Sequence, residues 1–237
     1  MQTPEKPHRF YKAVTTAPHD AGGFAVLLDG RPARSPGRHV LALPTLALAD
    51  LVAAEWEAQG SSVDFGAMPM TRLAFTVLDR AADARAGLAA EVARFAGSDL
   101  LCYLADGPDS LVEREQAAWA PWRDWAGVAL GLPLLCTAGI VPVDQPPDSV
   151  ARAEALALEL DDFALTGLAY AASLLGSAVL AFAVQRGAVD AAAAFATSRI
   201  DEAFQEERWG VDDEAADRTA GRLRDAEMIG RWFGALR

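Results

Sequence analysis

Hydrophobic residues follow two different spacings along the chain, one typical of strands and the other of helices. Near the start, the short β-branched and aromatic runs RFYKAVT and GFAVLLDG are separated by the turn dipeptides Gly22-Gly23 and Asp29-Gly30. Apolar runs between such turn signals indicate an antiparallel meander, and Asp-Gly is a strong signal for a tight hairpin. A last run, HVLAL, ends at Pro44. The N-terminal segment is therefore predicted to form a small antiparallel sheet.

After Pro44 the apolar positions recur with the spacing of amphipathic helices. Thr45 is expected to cap a first helix that stops at Gly60, because a threonine hydroxyl can accept a hydrogen bond from the free N–H groups at a helix start. Residues 100–105 fit either a strand or a helix. The same helical spacing predicts further helices at residues 70–81, 83–97, 109–130, 148–161, 163–186, 189–209 and 213–235.

Together these patterns predict an α+β fold, in which a small β-rich antiparallel N-terminal domain precedes a larger all-helical C-terminal domain. The Ala, Asp and Arg residues that follow Leu78 resemble a connector. We therefore predict that residues 1–81 form the β-rich domain with one or two packed helices, and that 82–237 form the helical domain.

One uncharged segment is long enough to cross a bilayer. Residues 163–184 contain no charged side chain, and their length fits a membrane span. However, the segment is rich in alanine, is interrupted by Gly167 and Ser177, and directly follows Asp161 and Asp162. We interpret it as the central buried helix of a helical bundle, with a membrane span as the alternative.

Composition and charge exclude several classes of protein. The chain has 237 residues, of which 52% are hydrophobic and 23% charged, as in ordinary globular proteins. Its formal net charge of −12 repels phosphate backbones and anionic lipids, so neither nucleic acid binding nor membrane insertion is expected. No targeting segment is recognisable at the N-terminus. We predict a cytoplasmic protein, or one of the mitochondrial matrix if a leader has been removed. A monomer is expected because no heptad pattern is sustained.

Cysteine and histidine positions give little support to a metal or redox site. Cys102 and Cys136 lie in apolar runs without a CxxC motif, so we predict two buried free thiols in a reducing compartment, with a disulfide or redox pair as the alternative. His8, His19 and His39 lack metal-ligand spacing. The sequence contains neither a phosphate-binding glycine loop nor a GxSxG nucleophile motif. We therefore expect no metal, no cofactor and no enzymatic activity.

The most acidic segment lies near the C-terminus. Between Asp201 and Asp217 there are eight acids and one base, and on a helix Trp209 falls beside Glu202 and Glu206, away from the apolar face. Three interpretations are open. The segment is a solvated acidic face, a contact site that combines an aromatic side chain with negative charge, or a carboxylate pair, Glu202 with Glu206, in the cleft of a hydrolase or isomerase.

Two other apolar features allow a similar choice. Trp56 in AAEWEAQG and Met68 in MPMT can belong to the core, as aromatic and methionine side chains at helical spacing usually do, or they can form an exposed contact surface.

These landmarks, in this order, resemble one family: the assembly chaperones of the ATP synthase catalytic head that bind the free α subunit, known as the mitochondrial F1-ATPase assembly factor 2 family. The resemblance extends over nearly the whole chain, and its specificity lies in the ordered set. The matching stretches are RFYKAV, LLDGRPARSPG, LALPT, AEWEAQG, MPMTRLAFTVLD, SDLLCYLADGPDSLVEREQAAWAPWRDW, GIVPVDQP, FALTGLAYAASLLGSAVLAFAV and IDEAFQEERWG.

The resemblance implies an ATP-independent chaperone with a β-rich N-terminal domain and a helical C-terminal domain. Such a protein binds the unassembled α subunit and shields its subunit interface until the β subunit replaces it. A lone ring subunit exposes a large apolar patch, which favours aggregation. By this resemblance the first-rank partner-binding candidates are Glu202, Gln205, Glu206 and Trp209. The second-rank candidates are Trp56, Met68 and Thr71, for which maintenance of the fold is the alternative.

Overall fold

The structure, a computed structural model, describes residues 7–139 and 141–237, without the side chains of residues 81–83. Its described residues divide into two compact units: the first contains residues 7–83 together with 234–237, and the second contains 84–233. The first unit holds a small antiparallel sheet, and the second is mostly helical. The predicted α+β fold class is confirmed.

Strand β2 is the central strand of the N-terminal sheet. It spans Phe24–Leu28 and pairs antiparallel with β1 (Val14–Pro18), β3 (Arg31–Pro32) and β4 (Ala42–Leu43). The alternation of buried and half-buried residues along β2 directs one face toward the core of the first unit.

The hairpin between β2 and β3 forms at the predicted dipeptide. Asp29 and Gly30 have φ angles of 49° and 76° and lie between the paired residues Leu28 and Arg31. Positive φ at both central positions defines the type I′ turn, whose twist matches that of the flanking strands. The Asp29 carboxylate also accepts a hydrogen bond from the Ala13 N–H at 2.9 Å, which ties the turn to the neighbouring chain.

Helix α1 (Leu46–Glu57) packs against β1 and β2. As predicted, the Thr45 hydroxyl caps it, accepting a hydrogen bond from the Leu48 N–H at 3.1 Å. The chain before β1 is also attached to this helix, because the Tyr11 hydroxyl donates to the Trp56 carbonyl oxygen at 2.8 Å.

Helix α2 is continuous from Pro69 to Gly97, so the prediction of two helices, at 70–81 and 83–97, is wrong. The physical reason is that Gly87 is the only glycine between these ends, no proline follows Pro69 within the helix, and alanine and arginine favour the helical state. The predicted domain boundary near residue 81 falls within α2 and stays a prediction about which parts of the chain fold independently.

The second unit consists of further helices and one short parallel ladder. The helix predicted at 109–130 ends as an α-helix at Trp125, and residues 126–130 continue it as a π-helical turn. A 3-10 turn at Leu100–Cys102 precedes β5. The elements are β5 (Tyr103–Leu104), α3 (Asp109–Trp125), β6 (Thr137–Ala138), α4 (Pro147–Leu158), α5 (Asp162–Leu175), α6 (Ala178–Gln185), α7 (Ala191–Thr197), α8 (Ile200–Trp209) and α9 (Asp213–Leu236).

The uncharged segment predicted as one central helix is instead two helices, α5 and α6. Gly176 has a φ of 66° and ends α5. Ser177 then caps α6 by accepting a hydrogen bond from the Leu180 N–H at 3.0 Å. A glycine in the left-handed region ends one helix, and the capping serine after it begins the next. Burial of both helices agrees with the predicted core position.

No helix among the described residues is long and apolar enough to cross a membrane.

The helix predicted at 189–209 is also divided, into α7 and α8. Ser198 ends α7, and its hydroxyl donates to the Phe195 carbonyl oxygen at 2.8 Å. Arg199 has φ and ψ of −118° and 25° and precedes α8. The acidic segment therefore begins a separate helix of 10 residues.

The two cysteines differ in exposure. Cys102 is buried, as predicted, whereas Cys136 is exposed, so the prediction of two buried thiols is wrong for the second. Cys136 follows an irregular segment that begins after the π-helical turn and contains several exposed residues, including Leu135.

Candidate functional site

A surface groove of about 280 Å³ follows the outer face of α8 and the turn after it. All four first-rank candidates from the sequence line this groove. Its walls are Glu202, Gln205, Glu206, Trp209, Gly210, Val211, Asp212 and Ala215.

The apolar part of the groove is unusually exposed. Trp209 has 77% of its surface accessible and Val211 has 51%. An exposed tryptophan next to another apolar side chain is typical of a contact surface, because tryptophan supplies much of the binding energy where it is found at interfaces. If the segment were only a solvated acidic face, Trp209 would be expected to tuck under the following turn at Gly210, and its exposure does not agree with that.

Helix α8 presents this face because its opposite face is anchored in the second unit. Phe204 is buried, and the guanidinium groups of Arg208 and Arg114 lie 4.2 and 5.2 Å from the centre of its ring. An arginine over an aromatic face is attracted by the ring quadrupole. The Arg114 side chain also pairs with Glu207 at 2.8 Å, which joins α3 to α8.

The acidic side chains of the groove differ in their partners. Glu206 forms a half-buried ion pair with Arg199 at 2.6 Å. Glu202 is exposed, and no ion pair of the described residues includes it. Within the part of the chain that the structure describes, its negative charge therefore has no ion-pair partner and is accessible to a positively charged group of a binding partner.

Beneath α8 lies a pair of acids that sequence reasoning missed. Glu115 of α3 is fully buried and its Oε2 accepts a hydrogen bond from the Ala105 N–H at 2.7 Å. Its other oxygen, and one oxygen of Asp201 at the start of α8, are buried without a donor among the described residues. Burial, together with the interaction with Asp201, raises the pKa of Glu115 to about 8. With its pKa raised in this way, the Glu115 carboxyl group is mostly protonated at neutral pH.

The sequence did contain a signal for Glu115. It lies four residues after Leu111 and four before Trp119, and all three are buried on one face of α3. An acid at the centre of an apolar face needs a partner or a proton.

The second-rank candidates occupy a different place from the groove. Trp56, Met68 and Thr71 have 4%, 0% and 0% of their surfaces exposed. The Thr71 hydroxyl donates to the Glu55 carboxylate at 2.7 Å, and the Thr71 and Met70 N–H groups donate to it at 2.8 and 2.9 Å. The three side chains are buried, and Glu55 caps the start of α2 by accepting from Met70 and Thr71. This burial favours support of the fold, and a direct partner contact by these residues stays a prediction.

No cluster of three or more histidine, cysteine, aspartate or glutamate side chains in the described part of the chain has the arrangement of a metal site. The side chains that line the groove offer a binding partner apolar contact, hydrogen bonding and negative charge.

The sequence matches the family model described as ATP12 chaperone protein over residues 8–127. Among curated proteins, the mitochondrial protein atp12 of Schizosaccharomyces pombe is 25% identical over 219 residues, which cover 87% of this chain and 75% of that protein.

Solved structures agree over almost the full length. The crystal structure of Atp12 from Paracoccus denitrificans has a TM-score of 0.91 and 42% sequence identity, covering 98% of this chain and 99% of that one. Atu1473 from Agrobacterium tumefaciens has a TM-score of 0.92 and 38% identity, covering 98% of this chain and 87% of that one.

Proposed function

The chain belongs to the ATP12 chaperone family, and on this premise we propose that it is an ATP-independent chaperone for assembly of the F-type ATP synthase catalytic head. It binds the unassembled α subunit and shields the subunit interface of that client until the β subunit replaces it. The observation that carries this proposal is the groove beside α8, in which the exposed Trp209 lies next to the unpaired charge of Glu202.

The groove suits a holding role. A client that waits for its partner subunit exposes apolar surface, and an aromatic side chain covers such surface with little loss of conformational entropy. The acids around Trp209 favour a client face that carries basic side chains, since complementary charge supports specific and rapid association. Glu202, Gln205, Glu206 and Trp209 form the contact, and Trp56, Met68 and Thr71 support the fold.

The remaining parts of the proposal follow from this role. A holding chaperone needs neither a nucleotide nor a cofactor, and it acts here as a monomer. We place it in the bacterial cytoplasm or in the mitochondrial matrix, since the relatives named above are bacterial and mitochondrial proteins. No observation favours the alternative of a carboxylate pair in a hydrolase or isomerase, because Glu206 is paired with Arg199 and Glu202 is exposed.

Two single substitutions test the contact. Trp209→Ala is expected to weaken binding of the purified α subunit by about tenfold to a hundredfold, as for a central interface tryptophan. Glu202→Lys reverses the unpaired charge and is expected to weaken binding by at least about tenfold. The measurement is the dissociation constant for the α subunit by biolayer interferometry without nucleotide, together with light scattering of the free α subunit as it aggregates.

The matched control is Asp124→Lys, which makes the same charge reversal at an exposed position of α3 outside the groove. It should bind as the unmodified protein does. If the folded Trp209→Ala and Glu202→Lys proteins bound the α subunit with unchanged affinity, the contact would not lie in this groove. If the unmodified protein did not bind the α subunit, the proposed client would be wrong.

A further inference from the structure

The two cysteines lie opposite each other at the ladder formed by β5 and β6. Tyr103 pairs with Thr137 in parallel register, and Cys102 and Cys136 each precede one member of that pair. Neighbouring strands are about 4.8 Å apart, which lies within the range of Cα separations that a disulfide spans. Cys136 is also close enough to Cys102 to contribute to the raised pKa of the Cys102 thiol.

The two thiols differ in reactivity. Burial, followed by the negative charge of Asp99, raises the pKa of the Cys102 thiol well above its usual value. This thiol remains protonated and is hidden from solvent. Cys136 is exposed, and thiolate formation and access to the oxidant govern which cysteine reacts first. The order of reaction is therefore Cys136 first and Cys102 second.

We propose that Cys102 and Cys136 form a redox-reactive dithiol site, which peroxide converts to an intramolecular disulfide. The Cys136 thiolate attacks hydrogen peroxide, so that an S–O bond forms, the O–O bond breaks and hydroxide leaves to become water. The Cys102 sulfur then attacks the resulting sulfenic acid. The S–S bond forms, the S–O bond breaks, and the departing hydroxide takes the Cys102 proton as a second water. Two electrons pass from the thiols to peroxide.

The disulfide would change the second unit in a measurable way. It would join the segment before β5 to the segment before β6, closing a loop that contains all of α3. A bond that closes a loop of this size restricts the unfolded chain, and the melting temperature is expected to rise by about 5–10 °C. This inference stands independently of the proposed client.

The experiment uses the full chain, reduced and then freed of reductant, and exposed to hydrogen peroxide near neutral pH. The expected product is a monomer that has lost two hydrogen atoms in its intact mass, and whose proteolytic map contains a peptide cross-linked between Cys102 and Cys136. Thiol titration under denaturing conditions should fall from two groups to none, and dithiothreitol should restore both.

Two matched variants separate the roles of the thiols. Cys102→Ser should accumulate a sulfenic acid at Cys136, trapped with dimedone, and should gain no cross-link. Cys136→Ser should keep its buried thiol reduced over the time in which the unmodified protein is fully oxidised. Oxidation of folded Cys136→Ser at the unmodified rate would overturn the proposal. The proposal would also be overturned if the unmodified protein gave only intermolecular dimers, or only sulfinic acid without a cross-link.

Discussion

Asp79 organises the loop between β3 and β4. Its carboxylate accepts hydrogen bonds from the Ser35 hydroxyl, from the Gly37 N–H at 2.9 Å and from the His39 ring at 2.8 Å. Partial burial opposes ionisation, but the hydrogen bonds from His39, Ser35 and Gly37 hold the pKa of Asp79 below its usual value. The end of the LLDGRPARSPG stretch and the nearby His39 thus support the fold, since Ser35, Gly37 and His39 all donate to one carboxylate.

Gly37 is required because this carboxylate approaches so closely. A methyl group at Gly37 would lie 2.5 Å from Asp79 Oδ1, so Gly37→Ala is expected to lower the free energy of unfolding by about 1–3 kcal/mol. The measurement is urea denaturation of the full chain.

Gly60→Ala provides the matched control, since an added methyl group there meets no atom within 4 Å. Its effect should stay within about 0.5 kcal/mol. Equal urea midpoints for the two variants would contradict this prediction, since they would show that the Asp79 side chain moves away without loss of stability.

At the scale of elements, the break between α5 and α6 determines how the apolar segment packs. Ser177 caps α6, and the buried Asp99 carboxylate accepts a second hydrogen bond there from the Val179 N–H at 3.0 Å. The same carboxylate accepts from the Leu101 N–H at 3.1 Å, which attaches the 3-10 turn to the helix start.

Ser177→Ala removes one of the two side-chain acceptors at the start of α6. We expect a loss of about 1–2 kcal/mol in the free energy of unfolding, the usual cost of deleting a helix cap, measured by urea denaturation. Ser173→Ala makes the same chemical change at an exposed position of α5 and should be nearly neutral. A loss at Ser173 as large as that at Ser177 would contradict the assignment of the cap.

At the scale of the whole molecule, two buried carboxyl groups make stability depend on pH. Burial raises the pKa of Asp99 to about 6, and burial with Asp201 raises that of Glu115 to about 8. A carboxyl group whose pKa is higher in the folded state stabilises that state below the unfolded pKa. It loses this contribution as the pH rises through the folded value. The free energy of unfolding should therefore fall as the pH rises from about 4 to about 8.

Glu115→Gln isolates the upper part of this range. The amide oxygen of the glutamine can still accept from the Ala105 N–H, and its nitrogen can donate to Asp201. The contact between α3 and α8 then no longer depends on protonation of residue 115. The unfolding free energy, measured in urea at pH 6 and 8.5, should fall less in this variant than in the unmodified protein. Glu113→Gln, an exposed change on the same helix, should keep the unmodified profile. Parallel pH profiles for all three proteins would contradict a raised pKa of Glu115 in the folded state.

Sequence reasoning succeeded where a local signal and the tertiary structure agree. The Asp29-Gly30 turn, the Thr45 cap and the outward face at Trp209 all follow from nearby residues. It failed where two adjacent residues end one helix and begin another, and where the interacting partner is distant in sequence. The apolar pattern predicts one helix through Gly176 and Ser177, although together these two residues end one helix and begin the next. The partner of Glu115 is distant in sequence, and no local pattern indicates it.

The separate existence of α8 has an evolutionary consequence. Breaks at Arg199 and Gly210 delimit the helix, and Phe204 attaches it from its inner side. Its outward side chains can therefore mutate without repacking the interior, as long as the phenylalanine anchor persists. If the proposed client contact lies here, divergence of the client surface can be matched by changes on this short helix and the turn after it. Binding specificity could then evolve, or be transferred between relatives, without changes to the core.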